Sequence, residues 1–120
     1  MTDQPAASYR DLILWQRAVQ LCVAVYKCTA RFPRDEIYGL TTQLRRSSLS
    51  IPGSIAEGYG RLSREQYKHF LGVAQGFNFQ LQTQLVVARE LAIGEPAEIE
   101  QIEGFSVEVG KMVSTMLKRL

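Results

Sequence analysis

Apolar residues recur at alternating spacings of three and four along four segments of this chain, and stretches containing glycine or proline separate the segments. This spacing lines one face of an α-helix. The 120 residues are 46% hydrophobic and 22% charged, which suits a globular domain and excludes a disordered chain. We therefore predict an all-α fold in a single domain over residues 1–120. Its four helices, at about 9–31, 35–57, 64–93 and 97–120, form an antiparallel up-down bundle.

The sequence also limits where the protein is expected to act. No apolar run approaches the ~18 residues that a membrane-spanning helix needs. The N-terminal stretch MTDQPAAS carries neither a basic segment nor an apolar core, so we expect no secretory signal. We predict a cytoplasmic location and no membrane partner.

Local signals mark the limits of the first and third helices. Ser8, followed three residues later by Asp11, fits a capping box at the start of the first helix, and Ser63 with Gln66 fits one at the start of the third. The first helix ends before Pro33, since the residue preceding a proline avoids helical dihedral angles.

The second helix carries a proline inside its apolar pattern. Pro52 lacks an N–H, and its ring crowds the carbonyl group of Ser48 in a regular helix. A single helix bent at Pro52 and two helices broken there both fit this pattern. Gly58 and Gly60 are the candidates for the C-terminal cap.

The first and third helices each carry a second apolar stripe beyond the one that a four-helix core requires. On the first helix, Leu12, Trp15 and Tyr26 belong to the stripe predicted to face the core. A helix that is apolar on two sides must be buried on two sides, so the second stripes predict self-association. A wide single core with the first helix at its centre is the alternative. The candidate interface residues are Leu14, Leu21, Val25, Phe79, Val86 and Ile93.

The chain lacks the patterns of the common catalytic and metal sites. A structural zinc site requires four Cys or His ligands, whereas this sequence has three such residues, Cys22, Cys28 and His69. No serine lies in a Gly-x-Ser-x-Gly motif, and a single histidine would have to serve any triad. Gly58-Tyr59-Gly60 lacks the spacing and the ending of a phosphate loop. We predict a protein that is not an enzyme and uses no metal or cofactor.

Charge is unevenly distributed, although the formal net charge is only +2. Residues 31–68 hold seven basic and four acidic side chains, and residues 95–110 hold five glutamates and no basic residue. Arginines beside a helix N-terminus favour phosphate, and nearby tyrosines can stack on unpaired bases. A solvated surface, or ion pairs between subunits, is the alternative explanation. The candidate nucleic-acid-binding residues are Arg45, Arg46, Tyr59, Arg61, Arg64 and Lys68.

One stretch resembles a known family. Tyr38–Leu71, YGLTTQLRRSSLSIPGSIAEGYGRLSREQYKHFL, with DLILWQRAVQL before it and LQTQL after it, is similar to the "four helix bundle protein" family. The family is also called the intervening-sequence protein family, because some members are encoded inside inserts of bacterial large-subunit ribosomal RNA genes. The resemblance covers about residues 11–94. Among the matching residues are Trp15, Gln16, Phe32, Pro33, Tyr38, Gly39, Leu40, Gln43, Arg45, Arg46, Ile51, Pro52, Glu57, Gly58, Gly60, Arg61, Gln84 and Leu85.

The resemblance implies a single bent second helix and a ring-shaped homopentamer. It also implies nucleic-acid binding, since the related accessory protein of diversity-generating retroelements resembles a basic pentamer that binds nucleic acid and a reverse transcriptase. Ser54 stands where the family commonly has Asn, and Gln80 where it commonly has Glu. The family offers no catalytic residues to transfer.

Two functions of different classes fit the sequence. The first is a homo-oligomeric module that binds RNA, or DNA, through its basic residues, with ring symmetry multiplying a modest patch. The second is a structural or protein-interaction scaffold that docks a partner protein and binds no nucleic acid.

Overall fold

The computed structural model describes residues 8–120. Within this range the chain forms four long helices and no strand, so the predicted all-α fold is confirmed. Residues 1–7, which the prediction included in the single domain, lie outside the described residues. The helices are α1 (Ile13–Thr29), α2 (Leu40–Tyr59), α3 (Arg64–Glu90) and α4 (Pro96–Arg119), and two short 3₁₀ turns occur at Tyr9–Asp11 and Arg34–Glu36.

The capping box predicted at Ser8 exists, but it caps a 3₁₀ turn instead of the first helix. The Ser8 hydroxyl accepts a hydrogen bond from the Arg10 backbone N–H at 3.1 Å, and the Asp11 carboxylate accepts one from the Ser8 backbone N–H at 3.3 Å. Leu12 then adopts an extended conformation with φ −73° and ψ 124°. The turn is therefore separate, and α1 begins at Ile13.

The second helix begins later than predicted and is not broken. Arg34–Glu36 form a 3₁₀ turn after Pro33. α2 begins at Leu40, directly after Gly39, and the Leu40 backbone N–H donates to the Glu36 carboxylate at 3.2 Å. α2 runs through Pro52 to Tyr59, so the single-helix alternative is the correct one. Gly60 provides the C-terminal cap.

Each helix packs against the next one in the chain, and α4 also packs against α1, which gives the bundle four sides. Gly58, inside the last turn of α2, allows the closest approach: a Cβ atom there would lie 2.6 Å from the Cβ of Phe70 on α3. The interior is mainly apolar, with a few buried polar side chains among the apolar ones. Its largest fully buried side chains are Leu14, Leu21, Val25, Leu44, Ile51, Ile55, Leu71, Leu81, Leu85, Ile99, Val109 and Val113.

The structure corrects the interface assigned to the first helix. Leu14, Leu21 and Val25 are at most 2% exposed and lie in the core of the single chain, so they offer no surface to another subunit. The stripe predicted to face the core lies farther out, with Trp15 half-buried and Tyr26 38% exposed, and of its members only Cys22 is buried. Both stripes have the same spacing, and the packing of α2 and α4 decides which of them turns inward.

The second stripe of the third helix does lie on the outside. Phe79 is 55% exposed and Val86 is 46% exposed. Ile93 follows the end of α3 and packs, partly buried, against the core. Two of the three α3 candidates are therefore available on the surface. Among residues 8–120, no helix is long and apolar enough to cross a membrane.

Candidate nucleic-acid interface

The turn between α2 and α3 brings three predicted basic residues together. α3 begins at Arg64, and its N-cap Ser63 accepts a hydrogen bond from the Gln66 backbone N–H at 3.0 Å. The other backbone N–H groups of this first turn have no partner within the helix, and a helix N-terminus carries a partial positive charge. Arg64 and Lys68, one turn later, are both exposed beside it. These two cations outnumber the one carboxylate of the same turn, Glu65, so the arrangement favours an anionic group.

Arg61 lies in the turn itself and has partners on both helices. Its Nη2 is 2.9 Å from a carboxylate oxygen of Glu57 on α2, and its guanidinium carbon lies 5.1 Å from the centroid of the Phe70 ring on α3. The Arg61 side chain is 44% exposed, so part of the guanidinium still faces solvent. An exposed ion pair of this kind contributes little to stability. The ion pair orients the Arg61 side chain and leaves part of the positive charge of this turn without a counter-charge.

Tyr59 and Tyr67 form an aromatic pair beneath this turn. Their ring centroids are 6.0 Å apart and the rings are nearly perpendicular, at 85°. Burial, and secondarily Tyr59, raises the pKa of the Tyr67 hydroxyl. Tyr59 is half-buried by this packing. The pair supports the turn, and the stacking role predicted for Tyr59 would use only the part of its ring that remains exposed.

Arg45 lies far from the α2–α3 turn and is hydrogen-bonded to the end of α1. Its Nε donates to the Thr29 hydroxyl at 2.8 Å, and an Nη donates to the Tyr26 carbonyl oxygen at 3.3 Å. Its guanidinium carbon also lies 4.6 Å from the centroid of the Tyr26 ring. These groups form the last turn of α1, where unpaired carbonyl groups attract cations. Arg45 therefore links the end of α1 to α2 through these hydrogen bonds.

Arg46 is exposed but does not join the cluster at the α2–α3 turn. It precedes Tyr59 by 13 residues on the same helix, a separation of about 20 Å along the helix axis. The six predicted residues thus form two separate groups. Arg61, Arg64, Lys68 and Tyr59 meet at the α2–α3 end, and Arg45 and Arg46 do not.

Two lysines of α4, which the sequence analysis did not select, lie on the surface between α3 and α4. A depression of about 540 Å³ between α3 and α4 is lined by Lys111 and Lys118, with no carboxylate among its lining residues. Gln75 of α3 donates to the Gly110 carbonyl oxygen at 3.1 Å and to the Ser114 hydroxyl at 3.2 Å. Lys118, one turn beyond Ser114, therefore lies towards the N-terminal end of α3. We call Arg61, Arg64, Lys68, Lys111 and Lys118 the basic end.

A buried polar cluster fixes the alignment of α3 with α4. Asn78 and Ser106 are both 0% exposed. The Asn78 amide donates to the Ser106 carbonyl oxygen at 3.0 Å, and the Ser106 hydroxyl donates to the Asn78 side-chain oxygen at 2.6 Å. Gln82 donates to the same hydroxyl at 3.0 Å. Satisfied buried polar groups of this kind specify one register, because any slip leaves them unpaired.

A second depression, of about 360 Å³, lies between α1 and α4. Apolar side chains of both helices form most of it, and Lys27 and Glu98 stand at one end. Glu98 also forms an ion pair with Arg31. The lining residues are Val19, Gln20, Val23, Ala24, Lys27, Cys28, Glu98, Gln101, Ile102 and Phe105, and we call this surface the α1–α4 groove.

The two cysteines and the histidine, which were the other candidates for metal binding or catalysis, contact residues of the fold. Cys22 and Cys28 are free and buried, and burial raises the pKa of both thiols. His69 is exposed, with its ring edge-on to Phe70 at 5.2 Å between centroids. Across residues 8–120, no group of three or more His, Cys, Asp or Glu side chains could hold a metal ion.

Comparison with known proteins agrees with this architecture. The sequence profile of the 23S rRNA-intervening sequence protein family matches residues 10–115. The fold is similar to the crystal structure of a protein of unknown function from the S23 ribosomal protein family of Bacteroides thetaiotaomicron VPI-5482, with a TM-score of 0.76 and 21% sequence identity. The likeness covers 88% of this chain and 99% of that one. No curated protein matches the chain significantly.

Proposed function

The chain belongs to the 23S rRNA-intervening sequence protein family, and we propose that it is a non-catalytic, homo-oligomeric protein that binds RNA through its basic end. The observations that carry the proposal are three cationic side chains at the start of α3, Arg61, Arg64 and Lys68, and two lysines that line the depression between α3 and α4. Arg64 and Lys68 are exposed there, and the depression lined by Lys111 and Lys118 contains no carboxylate.

The basic end suits a polyanion with spaced phosphates. Arginine binds phosphate oxygens through two parallel N–H groups, and lysine acts as a point charge. Backbone N–H groups at the start of α3 add donors of the same kind. Contacts of these types position a protein on RNA without reading its sequence. We therefore expect a preference for RNA shape and charge over sequence.

Assembly would strengthen a patch that is small in one chain. We propose an antiparallel bundle that assembles into a ring, with a homopentamer as the form that the family resemblance implies. Support for antiparallel packing comes from contacts in which residue numbers rise on one helix and fall on the next, as in Arg45 with Thr29 and then Ser48 with Cys22. About five linked copies of the basic end would bind multivalently.

We also propose that the protein acts in the cytoplasm and carries out no reaction. Its one histidine is exposed against an aromatic ring, and its thiols are buried with raised pKa values. Neither environment supplies an activated nucleophile.

The proposal is tested by fluorescence anisotropy of a labelled RNA hairpin titrated with the purified protein at about 50 and 200 mM salt. Binding should weaken about 10³-fold between these concentrations, because six or more phosphate contacts release that many counterions. An unchanged anisotropy at the lower salt concentration would contradict the proposal.

A protein-binding scaffold without nucleic-acid affinity is the second candidate, and exposed apolar side chains favour it. Tyr38 is 94% exposed and Leu62 is 104% exposed, and both are large enough to anchor a partner. A stable oligomer with no RNA affinity at low salt would move the assignment to this alternative.

A further inference from the structure

The depression between α3 and α4 combines side chains that bind the different parts of a nucleotide. Its volume of about 540 Å³ lies within the ~300–1,000 Å³ range of pockets that hold small ligands. An aromatic ring, two lysines and several amide or hydroxyl groups line it. The lining residues are Gln75, Phe79, Gln82, Val107, Gly110, Lys111, Ser114, Thr115 and Lys118, and we call this surface the α3–α4 pocket.

The aromatic side chain of the α3–α4 pocket is open to solvent. Phe79 is 55% exposed, and none of the ring–ring or cation–ring contacts among residues 8–120 includes it. Val107, 47% exposed on α4, adds apolar surface to the same pocket. Proteins that bind single-stranded nucleic acid stack unpaired bases on exposed aromatic rings within basic surfaces. The face of Phe79 is available for such a stack.

Hydrogen bonds between α3 and α4 fix the level of this ring along the bundle. Gln75 donates to the Ser114 hydroxyl at 3.2 Å, and Gln82 donates to the Ser106 hydroxyl at 3.0 Å. Phe79 lies between the two glutamines on α3. It therefore stands level with the stretch of α4 between the two serines.

The lysines of the α3–α4 pocket are placed for phosphate groups on either side of a stacked base. Lys111 belongs to the stretch of α4 that stands level with Phe79, and Lys118 follows it by two turns, about 10 Å along the helix axis. No carboxylate lines this pocket, whereas Glu98 lines the α1–α4 groove. Of the two depressions, the α3–α4 pocket is therefore the one suited to an anionic ligand.

Gln75 adds a hydrogen-bond acceptor that the chain leaves without a donor. Its side-chain nitrogen donates to the Gly110 carbonyl oxygen and to the Ser114 hydroxyl, but its Oε1 is buried and accepts no hydrogen bond from residues 8–120. Buried polar atoms are rarely unpaired, so an unpaired one beside a pocket calls for an explanation. The edges of RNA bases carry N–H donors, and a base in the pocket would supply the missing partner.

We propose that the α3–α4 pocket binds an unpaired nucleotide of RNA, with the base stacked on Phe79 and the flanking phosphates beside Lys111 and Lys118. The proposal rests on the RNA binding of the proposed function and names the form of RNA that this pocket takes. In an RNA duplex the bases are stacked on one another, and side chains cannot read them from the deep, narrow major groove. A duplex therefore offers phosphates to the lysines but no base face to Phe79.

The test uses Phe79→Ala, which removes the ring and leaves every charge in place. Fluorescence anisotropy compares two labelled probes, an unstructured uridine-rich single strand of RNA and a fully paired RNA duplex of the same length. The variant should bind the single strand at least about 5-fold more weakly than the wild type, the effect of losing one base–aromatic stack. Its affinity for the duplex should change less than about 2-fold, because no phosphate contact is lost. Phe79→Tyr keeps a ring and should restore binding of the single strand.

The matched control is Val86→Ala, at an exposed apolar position of α3 that does not line the α3–α4 pocket, and it should bind both probes as the wild type does. Because Phe79 is exposed, Phe79→Ala should keep the helical circular dichroism and the light-scattering mass of the wild type. A changed mass would overturn the proposal, since the ring would then belong to a contact between subunits.

The binding outcomes separate this pocket from RNA binding in general. Undiminished binding of the single strand by Phe79→Ala would overturn the stack on Phe79 and leave the proposed function standing. Equal losses for the single strand and the duplex would also overturn it, since the ring would then not act on an unpaired base. A wild type that binds neither probe at about 50 mM salt would contradict the RNA binding of the proposed function itself, because phosphate contacts are strongest at low salt.

Discussion

The α1 side of the bundle and its α2–α3 end use similar residues for opposite purposes. On the α1 side, Arg45 bonds to Thr29 and Tyr26, and Leu21 is fully buried. At the α2–α3 end, Arg64 is exposed to solvent, and Leu62 is 104% exposed. Residue type and spacing therefore do not reveal whether a side chain stabilises the fold or remains available to a ligand. The residues that the side chain contacts in the folded chain determine its role.

The comparison is tested most strongly by truncating a leucine in each region. Leu21→Ala should lower the free energy of unfolding by about 2–5 kcal/mol, because it removes buried methyl groups and leaves a cavity. Leu62→Ala should change it by no more than about 0.5 kcal/mol, because the side chain is already in water. Urea denaturation at equal protein concentration measures both. Similar values for the two variants would contradict the assignment of Leu21 to the core.

A smaller effect is expected when arginines of the two regions are compared. Arg45→Met should cost about 1–3 kcal/mol of unfolding free energy, because it removes charge-assisted hydrogen bonds to the end of α1 and leaves a carbonyl oxygen of Tyr26 with one donor fewer. The matched variant Arg64→Met should lie within about 0.5 kcal/mol of the wild type. The same denaturation experiment applies, and equal losses would remove the distinction between the two arginines.

The smallest effect concerns the support beneath the basic end. The Tyr67 hydroxyl is buried, with no hydrogen-bond partner among residues 8–120. Tyr67→Phe should therefore leave stability unchanged or raise it by up to about 1 kcal/mol near neutral pH, because the lost group makes no bond there.

The pKa of Tyr67 adds a pH dependence of known sign. Burial raises the pKa of the Tyr67 hydroxyl in the folded state. The ionisation of Tyr67 therefore costs the folded protein no stability below the tyrosine pKa of the unfolded chain, about 10. Above that pH the stability of the folded protein falls as the pH rises. Tyr67→Phe should reduce the loss of stability above pH 10. An unchanged profile in thermal melts across this range would indicate that Tyr67 ionises equally in both states.

The sequence supports the helical fold well, because three- and four-residue spacing is a local property of each helix. It also identifies the reciprocal hydrogen bonds between Ser8 and the following turn, and the one that Ser63 accepts from the Gln66 N–H. It misplaces the start of the first helix, since Leu12 is extended between the turn and α1. The turn at Arg34–Glu36 is missed in the same way. Short 3₁₀ turns share the periodicity of the helices they precede, so spacing does not separate them.

The candidate site is less accessible to sequence reasoning, because its members come from different helices. Arg64 and Lys68 are neighbours on α3 and are found together. Lys111 and Lys118 join them only through the alignment of α3 with α4, which buried contacts of Asn78 and Ser106 determine. Their heptad spacing directly after the acidic segment was the available signal. The role of Arg45 depends on the end of α1, 16 residues away from it in the chain.

The most direct test of the basic end compares two double variants in the RNA anisotropy experiment at about 50 mM salt. Arg64→Glu with Lys68→Glu should weaken binding at least about 100-fold, since each chain loses two phosphate contacts and gains two repulsive charges. Arg34→Glu with Arg46→Glu makes the same change of charge away from the basic end and should weaken it less than about 10-fold. Both variants should retain the wild-type helix content and oligomer mass. Equal losses of affinity would show that only net charge matters, and undiminished binding by the first variant would contradict the assignment of RNA to the basic end.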